Sequence, residues 1–339
     1  MAEAARKSMI FREQQGALPN SLILLWATAG WLSSFALMGN SSVALNAIGV
    51  ILCTHTMVLA AYLIHEAAHG TLFAKPLANR VIGEWLSFMA GASYASFGRI
   101  QHMHIRHHRD RADVACFNFK ELMERHPFVR RVLEVLEWAY IPATEMVMHY
   151  QIILRPFFES SQRSHLPRVL FMLALRGALF TLLAMWSIKA LLLYVLAYGL
   201  LLHVLNFFDA FHHTFEQYFA EADEAVPMNG RDRVYEQANT FSNLISVRWP
   251  VLNLLTVNFG YHNAHHERMA VPWYRLPELH ASLYGDHLQA VMPLGELLVT
   301  WHRNRVRRVA SDDYGVPGTG EGRADHFVGA HGVSFLTVV

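Results

Sequence analysis

Charge is scarce in this chain. Only 16% of its 339 residues are Asp, Glu, Lys or Arg, and 28 basic against 27 acidic side chains leave a formal net charge of +1. So even a balance gives no reason to expect a nucleic-acid partner. Cysteine is scarcer still. Cys53 lies in an apolar run and Cys116 beside a histidine-rich segment, which excludes a disulfide framework and fits a reduced, cytosol-facing site. Internal repeats are absent, and nothing marks a second folded domain. What remains is apolar: 53% of residues are hydrophobic and mean hydropathy is positive, the composition of a membrane protein.

Two uncharged stretches, 21–39 and 42–64, are each long enough to cross a ~30 Å hydrocarbon core. A second pair follows at about 168–187 and 190–211, joined by a short turn near Ser187 to Ala190. The N-terminal segment lacks a small-residue cleavage site behind its mixed-charge start, so its apolar run is expected to stay as the first span. Lys and Arg collect before, between and after the pairs, while the tight turns carry only Lys189. The positive-inside rule therefore puts both termini and the long middle segment in the cytosol. The expected fold is all-α: two transmembrane hairpins, about four spans, under a cytosolic helical cap. Apolar residues at 128, 132, 135, 136 and 139 with Arg and Glu between them read as an amphipathic interfacial helix. Residues 81–98 and 244–258 read as short interfacial or cap-packing helices. Arg303, Arg305, Arg307 and Arg308 form a local basic cluster, suited either to anionic headgroups or to a solvated face. Arg176 stands in mid-span, by snorkelling or by an interhelical pairing. Residues 1–310 read as one membrane domain, and 311–339 as a tail joined through a flexible Gly-rich stretch from Tyr314 to Gly322.

Histidine, by contrast, is concentrated. The stretch "QHMHIRHHRD" holds four histidines between His102 and His108. His104, His107 and His108, spaced i, i+3, i+4, share one helix face. His262, His265 and His266 in "HNAHH" repeat that spacing, and "HEAAH" puts His65 and His69 one turn apart. A fourth cluster, "FFDAFHHTFE", ends the last apolar run with Asp209, His212 and His213 in the same register. On the expected topology all four meet at the cytosolic surface. Counting one of His212 or His213 gives nine candidate ligands. One structural zinc site takes about four ligands, so the count calls for two metals of four or five imidazoles each; imidazole suits iron, zinc and copper alike and does not name the metal.

"HEAAH", "HIRHH" and "HNAHH", in this order with two membrane hairpins interleaved over roughly residues 20–305, resemble the three histidine boxes of the integral-membrane fatty acid desaturase superfamily. The resemblance implies a centre of two non-haem iron ions that uses O₂ to remove hydrogen from an acyl chain. Its ligands would be His65, His69, His104, His107, His108, His262, His265 and His266. A further ligand expected at the end of the fourth span falls on His213 rather than His212. Asp209, four residues before His213, matches the polar residue that holds a metal-bound water in stearoyl-type enzymes, and Glu66 is placed beside the metals. Three residues, not four, separate the histidines of the first box, as in the acyl-lipid desaturases and their hydroxylase and ketolase relatives. Together with "VPWYRLPELH" after the third box, this points to a membrane lipid or its acyl chain rather than an acyl-CoA. With no haem-binding or ferredoxin-like cysteine pattern in the chain, electrons are expected from a separate ferredoxin or cytochrome b5 type protein.

Within that family hydroxylation, ketolation and alkane oxygenation are alternatives to desaturation. Outside it, "HEAAH" alone fits an intramembrane zinc protease with Glu66 as general base. Such proteases draw a third ligand from an Asp-Gly motif, whereas Asp209 precedes Ala210. A metal transporter would place its site near the bilayer midplane on broken helices, while these boxes fall at span ends.

Overall fold

The computed structural model describes residues 10–221, 223–227, 230–285, 291–311, 313–318 and 322–331. Arg6 and Lys7, which enter the orientation argument, and the last eight residues of the tail lie outside the described residues. Among these, the α-helices of eight residues or more are α1 (Ala17–Gly39), α2 (Val43–Ala68), α3 (Pro76–Met89), α4 (Phe97–Asp110), α5 (Pro127–Trp138), α6 (Ala143–Phe158), α7 (Leu166–Ala210), α8 (Leu276–Tyr284) and α9 (Leu294–Asn304). The chain divides into two compact units, residues 1–99 with 149–204 and residues 100–148 with 205–339.

The first unit holds the long apolar helices. Among the described residues three segments are long and apolar enough to cross a bilayer, Gln14–Gly39, Val43–Ala68 and Ser160–Ala210. The turn between α1 and α2 is fixed by Asn46, whose amide donates to the carbonyls of Leu37, Met38 and Asn40 at 2.9, 3.0 and 2.9 Å. Those carbonyls end a helix and have no partner within it. The two helices approach closely at glycines: a Cβ on Gly49 would stand 2.9 Å from the Met38 nitrogen, and one on Gly30 2.7 Å from Thr56 Cγ2. Thr54 donates to the Ala197 carbonyl at 3.2 Å, which leaves it a satisfied interhelical contact.

α7 runs 45 residues but is not one rod. Ser187 leaves helical geometry at φ −161°, ψ 104°, and its Oγ accepts from Ala190 N at 3.1 Å as an N-cap. Phe180 and Tyr194 meet with ring centroids 5.7 Å apart. On a straight helix fourteen residues span about 21 Å. The chain therefore folds back at Ser187 into two helices, 166–186 and 188–210, the hairpin expected from sequence. Arg176 is buried in the first of them. Its guanidinium donates to the Phe88 carbonyl at 2.6 Å and to Ser93 Oγ at 3.0 Å, and lies 4.7 Å from the centre of the Phe88 ring. The mid-span arginine thus closes the carbonyl end of α3 and does not snorkel.

The second unit carries the histidine-rich helices. The amphipathic segment is α5, with Leu133 buried and Phe128, Val135 and Trp138 exposed. Three features depart from the expected all-helical pattern. Asp113–Ala115 and Gln217–Phe219 form a two-stranded parallel ladder, too short for any periodicity to reveal. Of the short helix expected over 244–258 only 250–256 is helical, as a 3-10 helix, because Pro250 opens it and the Asn253 side chain bonds back to Ser246 O and N at 2.9 and 3.2 Å. Val257 and Asn258 then turn the chain through the left-handed region at φ 52° and 55°. Finally, residues 322–331, in the segment expected as a tail, pack within this unit. Ala330 N donates to Ala210 O at 2.9 Å, Thr300 donates to Phe327 O at 2.7 Å, and Phe327 packs on Phe211 and Phe241 at 5.3 and 5.2 Å.

Candidate metal centre

In the first unit, His65 in the last turn of α2 and its C-cap residue His69 bring their rings to 4.7 Å. Glu66 follows His65 with Oε1 3.4 Å from His65 Nδ1, and its Oε2 accepts from Thr71 Oγ1 at 2.6 Å. Thr71 also binds the Glu66 carbonyl through both N and Oγ1, at 3.1 and 2.9 Å. The turn after the first box is thereby tied back to its acid.

In the second unit seven of the expected histidines come together in two groups. His108 Nε2 lies 3.2 Å from both His104 Nε2 and His265 Nε2. His213 Nε2 lies 3.2 Å from His107 Nε2 and 2.8 Å from His262 Nε2. His266 joins the second group, its nitrogens within 4.8 Å of those of His107 and His213, and its ring 4.2 Å from that of His108. α4 supplies His104, His107 and His108 from one face. His262–Glu267 supplies the third box, anchored by Asn263, which donates to Thr240 O at 2.5 Å and accepts from Ser242 Oγ at 3.0 Å. His213 follows the end of α7 and pairs its backbone with Thr240.

The hydrogen bonds on the far side of three of these rings assign their protons. His107 Nδ1 stands 3.2 Å from both Ala112 O and Asp113 Oδ1, acceptors only, so Nδ1 carries the hydrogen. His266 Nδ1 donates to Glu236 Oε1 at 3.0 Å. Thr240 gives its own hydroxyl hydrogen to Glu236 O at 2.6 Å, and so can only accept from His213 Nδ1 at 3.3 Å. In the neutral rings Nε2 of all three is then a bare lone pair, and these lone pairs face one another. Burial, with like-charge repulsion from neighbouring imidazoles, pushes His104, His213, His262 and His266 well below the ordinary histidine value and His265 down to about 3. Buried lone pairs converging at 3.2 Å repel unless a cation lies among them. Two nitrogens bonded to one ion at about 2.1 Å and a right angle apart stand about 3 Å from each other, so the donor set fits a transition metal.

A small cavity of about 50 Å³ adjoins this cluster, lined by Asp209, Asp113, His104, His107, His213 and Phe259 among others. Asp209 is thus beside the second group, with Oδ1 3.9 Å from His212 Nδ1. His212 stacks on His262 at 4.1 Å. Asp113, Glu236, Thr240, Arg111 and Thr71 were not singled out from the sequence. Asp113, five residues after His108, offered a local signal; Glu236 and Thr240 stand more than twenty residues from any box and offered none.

The fatty acid desaturase family model matches residues 41–295, three quarters of the chain. The chain is 27% identical over 270 residues to a sphingolipid delta(4)-desaturase of Candida albicans, and 29% identical over 222 residues to the protein of that name from Komagataella phaffii. The alignments cover 74% and 64% of this chain, and 68% and 55% of those proteins' own length. These matches leave no place for the zinc protease and the transporter: the chain belongs to the fatty acid desaturase family and is an oxidoreductase.

Proposed function

We propose that the protein introduces a double bond into the hydrocarbon chain of a membrane lipid, of the sphingolipid class, in an O₂-dependent reaction. The observation that carries the metal requirement is the convergence of the His107, His213 and His266 lone pairs, each set by a hydrogen bond on the opposite ring nitrogen. The sphingolipid class rests on the relatives' names. His65, His69, His104, His107, His108, His213, His262, His265 and His266 would hold two irons, with Asp209 and Glu66 beside them. Two such irons, when bound, would supply reductive activation of O₂, so that O₂, two electrons, two protons and two hydrogens from adjacent methylenes leave as two waters.

The chain's own part is to keep the ligands neutral by burial and to aim them. Asp113, Thr240 and Glu236 hold ring hydrogens away from the cluster, and Asn263 locks the third box against residues 240–242. Four spans, formed by α1, α2 and the two halves of α7, with both termini and the histidines on the cytosolic side, complete the reading. A ferredoxin or cytochrome b5 type protein would deliver the electrons from that side.

Lipid mass spectrometry of a host expressing the chain tests this. A new unsaturated sphingolipid is expected under air, and none for His108→Ala or His265→Ala. Glu66→Gln should be milder, lowering product roughly 10- to 100-fold, as changes beside a metal's ligands do. An unchanged lipid profile with turnover of a water-soluble substrate would refute the proposal, as would full activity of both histidine variants.

A further inference from the structure

Glu236 has no role in the family resemblance, yet its side chain joins a histidine of the cluster to an arginine. Its Oε1 accepts from His266 Nδ1 at 3.0 Å, and its Oε2 accepts from Arg111 Nε at 2.8 Å. Its backbone carbonyl takes the Thr240 hydroxyl hydrogen, which leaves Thr240 to receive His213 Nδ1–H. One residue therefore governs two of the three rings whose lone pairs converge. The side chain is buried, and a carboxylate so placed is stable only when its charge is met. Arg111 meets it, and is itself held by a bond from its NH1 to Arg231 O at 2.8 Å.

The backbone of Arg111 adds a second, independent observation. It sits directly after α4 at φ +47°, in the left-handed region where glycine or asparagine is the usual occupant. A helix stop alone would be made more cheaply by glycine. The residue found there carries instead the guanidinium that meets the Glu236 carboxylate.

We propose that Glu236, fixed by the Arg111 guanidinium, is a positioning residue that sets the tautomer and aim of His266 and, through Thr240, of His213. The inference rests on the di-iron reading and adds a residue pair that the histidine boxes do not contain. An acid holding the far nitrogen of a ligating imidazole fixes the ring and raises its basicity, and losing it typically costs 10- to 100-fold in metal affinity.

The test compares wild type, Glu236→Gln, Glu236→Ala and Arg111→Gly, purified from the same membranes. Iron per chain across a chelator series, the Mössbauer spectrum, and thermal unfolding of the metal-free protein are measured. Wild type should bind two irons. Glu236→Ala should lose up to about 100-fold in affinity at one iron, and Glu236→Gln, whose amide oxygen still accepts from Nδ1–H, about tenfold. Both should change the spectrum of that iron while the other keeps its signature. Arg111→Gly should weaken the same iron although glycine suits the backbone there. A purely structural role would lower unfolding temperature and leave the spectrum alone, which would overturn the proposal; so would wild-type affinity in all three variants. If Glu236→Ala does not fold, the affinity and spectrum of Glu236→Gln decide. A wild-type protein without iron refutes the di-iron reading, and this inference with it; two irons in wild type with unaffected variants refutes this inference alone.

Discussion

At the scale of single residues, proton placement decides what the histidine cluster can do. Thr240 is the clearest instance. Because its hydroxyl hydrogen is committed to Glu236 O, its oxygen has only lone pairs to offer His213, and the ring must present a bare Nε2 to the cluster. Thr240→Val keeps the shape and removes that acceptor, while the Glu236 carbonyl keeps the Asn239 amide at 3.3 Å. Weaker iron binding and at least tenfold lower product are expected, with Thr240→Ser restoring most of both. Iron analysis alongside lipid mass spectrometry checks this, and wild-type iron in the valine variant would count against it. The histidines that gather were legible because their boxes repeat helical spacing. The groups that aim them were not. Glu236, Thr240 and Asp113 reach their rings across turns and a three-residue strand, contacts for which sequence spacing carries no period.

Elements were read correctly where an apolar run was long, and misread where local hydrogen bonding overrode composition. α1, α2 and the Ser187 turn follow from uncharged stretches of spanning length. The stretch 250–256 is as apolar, but Pro250 and the Asn253 side chain hold it in a tighter helix. Arg176 shows the opposite case, a charge that looks misplaced along one helix and is explained by another. Its two donors close the end of α3 at Phe88 and the turn at Ser93. Arg176→Met fills the space and leaves both acceptors without it. The unfolding temperature in detergent should fall by an amount equivalent to about 1.5–3 kcal/mol per lost hydrogen bond from the charged group, with the iron spectrum unchanged. An unaltered melting temperature would show that the arginine is not the cap it looks to be.

For the molecule as a whole, sequence conveyed the division of labour and missed one of its constraints. Long apolar helices carrying exposed Leu22, Leu25, Trp26, Leu182, Trp186 and Leu192 make up much of one unit, while polar, histidine-rich segments make up the other. The glycine-rich approach to the tail read as a tether, because composition records how freely a chain turns and not what it turns toward. Residues 322–331 instead cover Phe211 and bind Ala210, two residues short of the His212–His213 pair. Gln217 donates to His331 O at 3.2 Å on the far side of the same pair. Ending the chain at residue 321 should expose Phe211, free the Ala210 carbonyl and lower both iron content and melting temperature in purified protein. A truncated enzyme with full iron and full activity would contradict this.

The strand of contacts from Ala330 to Ala210 also sets a timetable. A ribosome adding roughly 5–20 residues each second delivers Ala330 several seconds after Ala210, since 120 positions separate them. Until then the stretch bearing His213 lacks its clasp. All three boxes emerge earlier. The nascent chain thus displays a set of imidazoles before it can close around them, an interval in which any divalent metal present would find the cluster open.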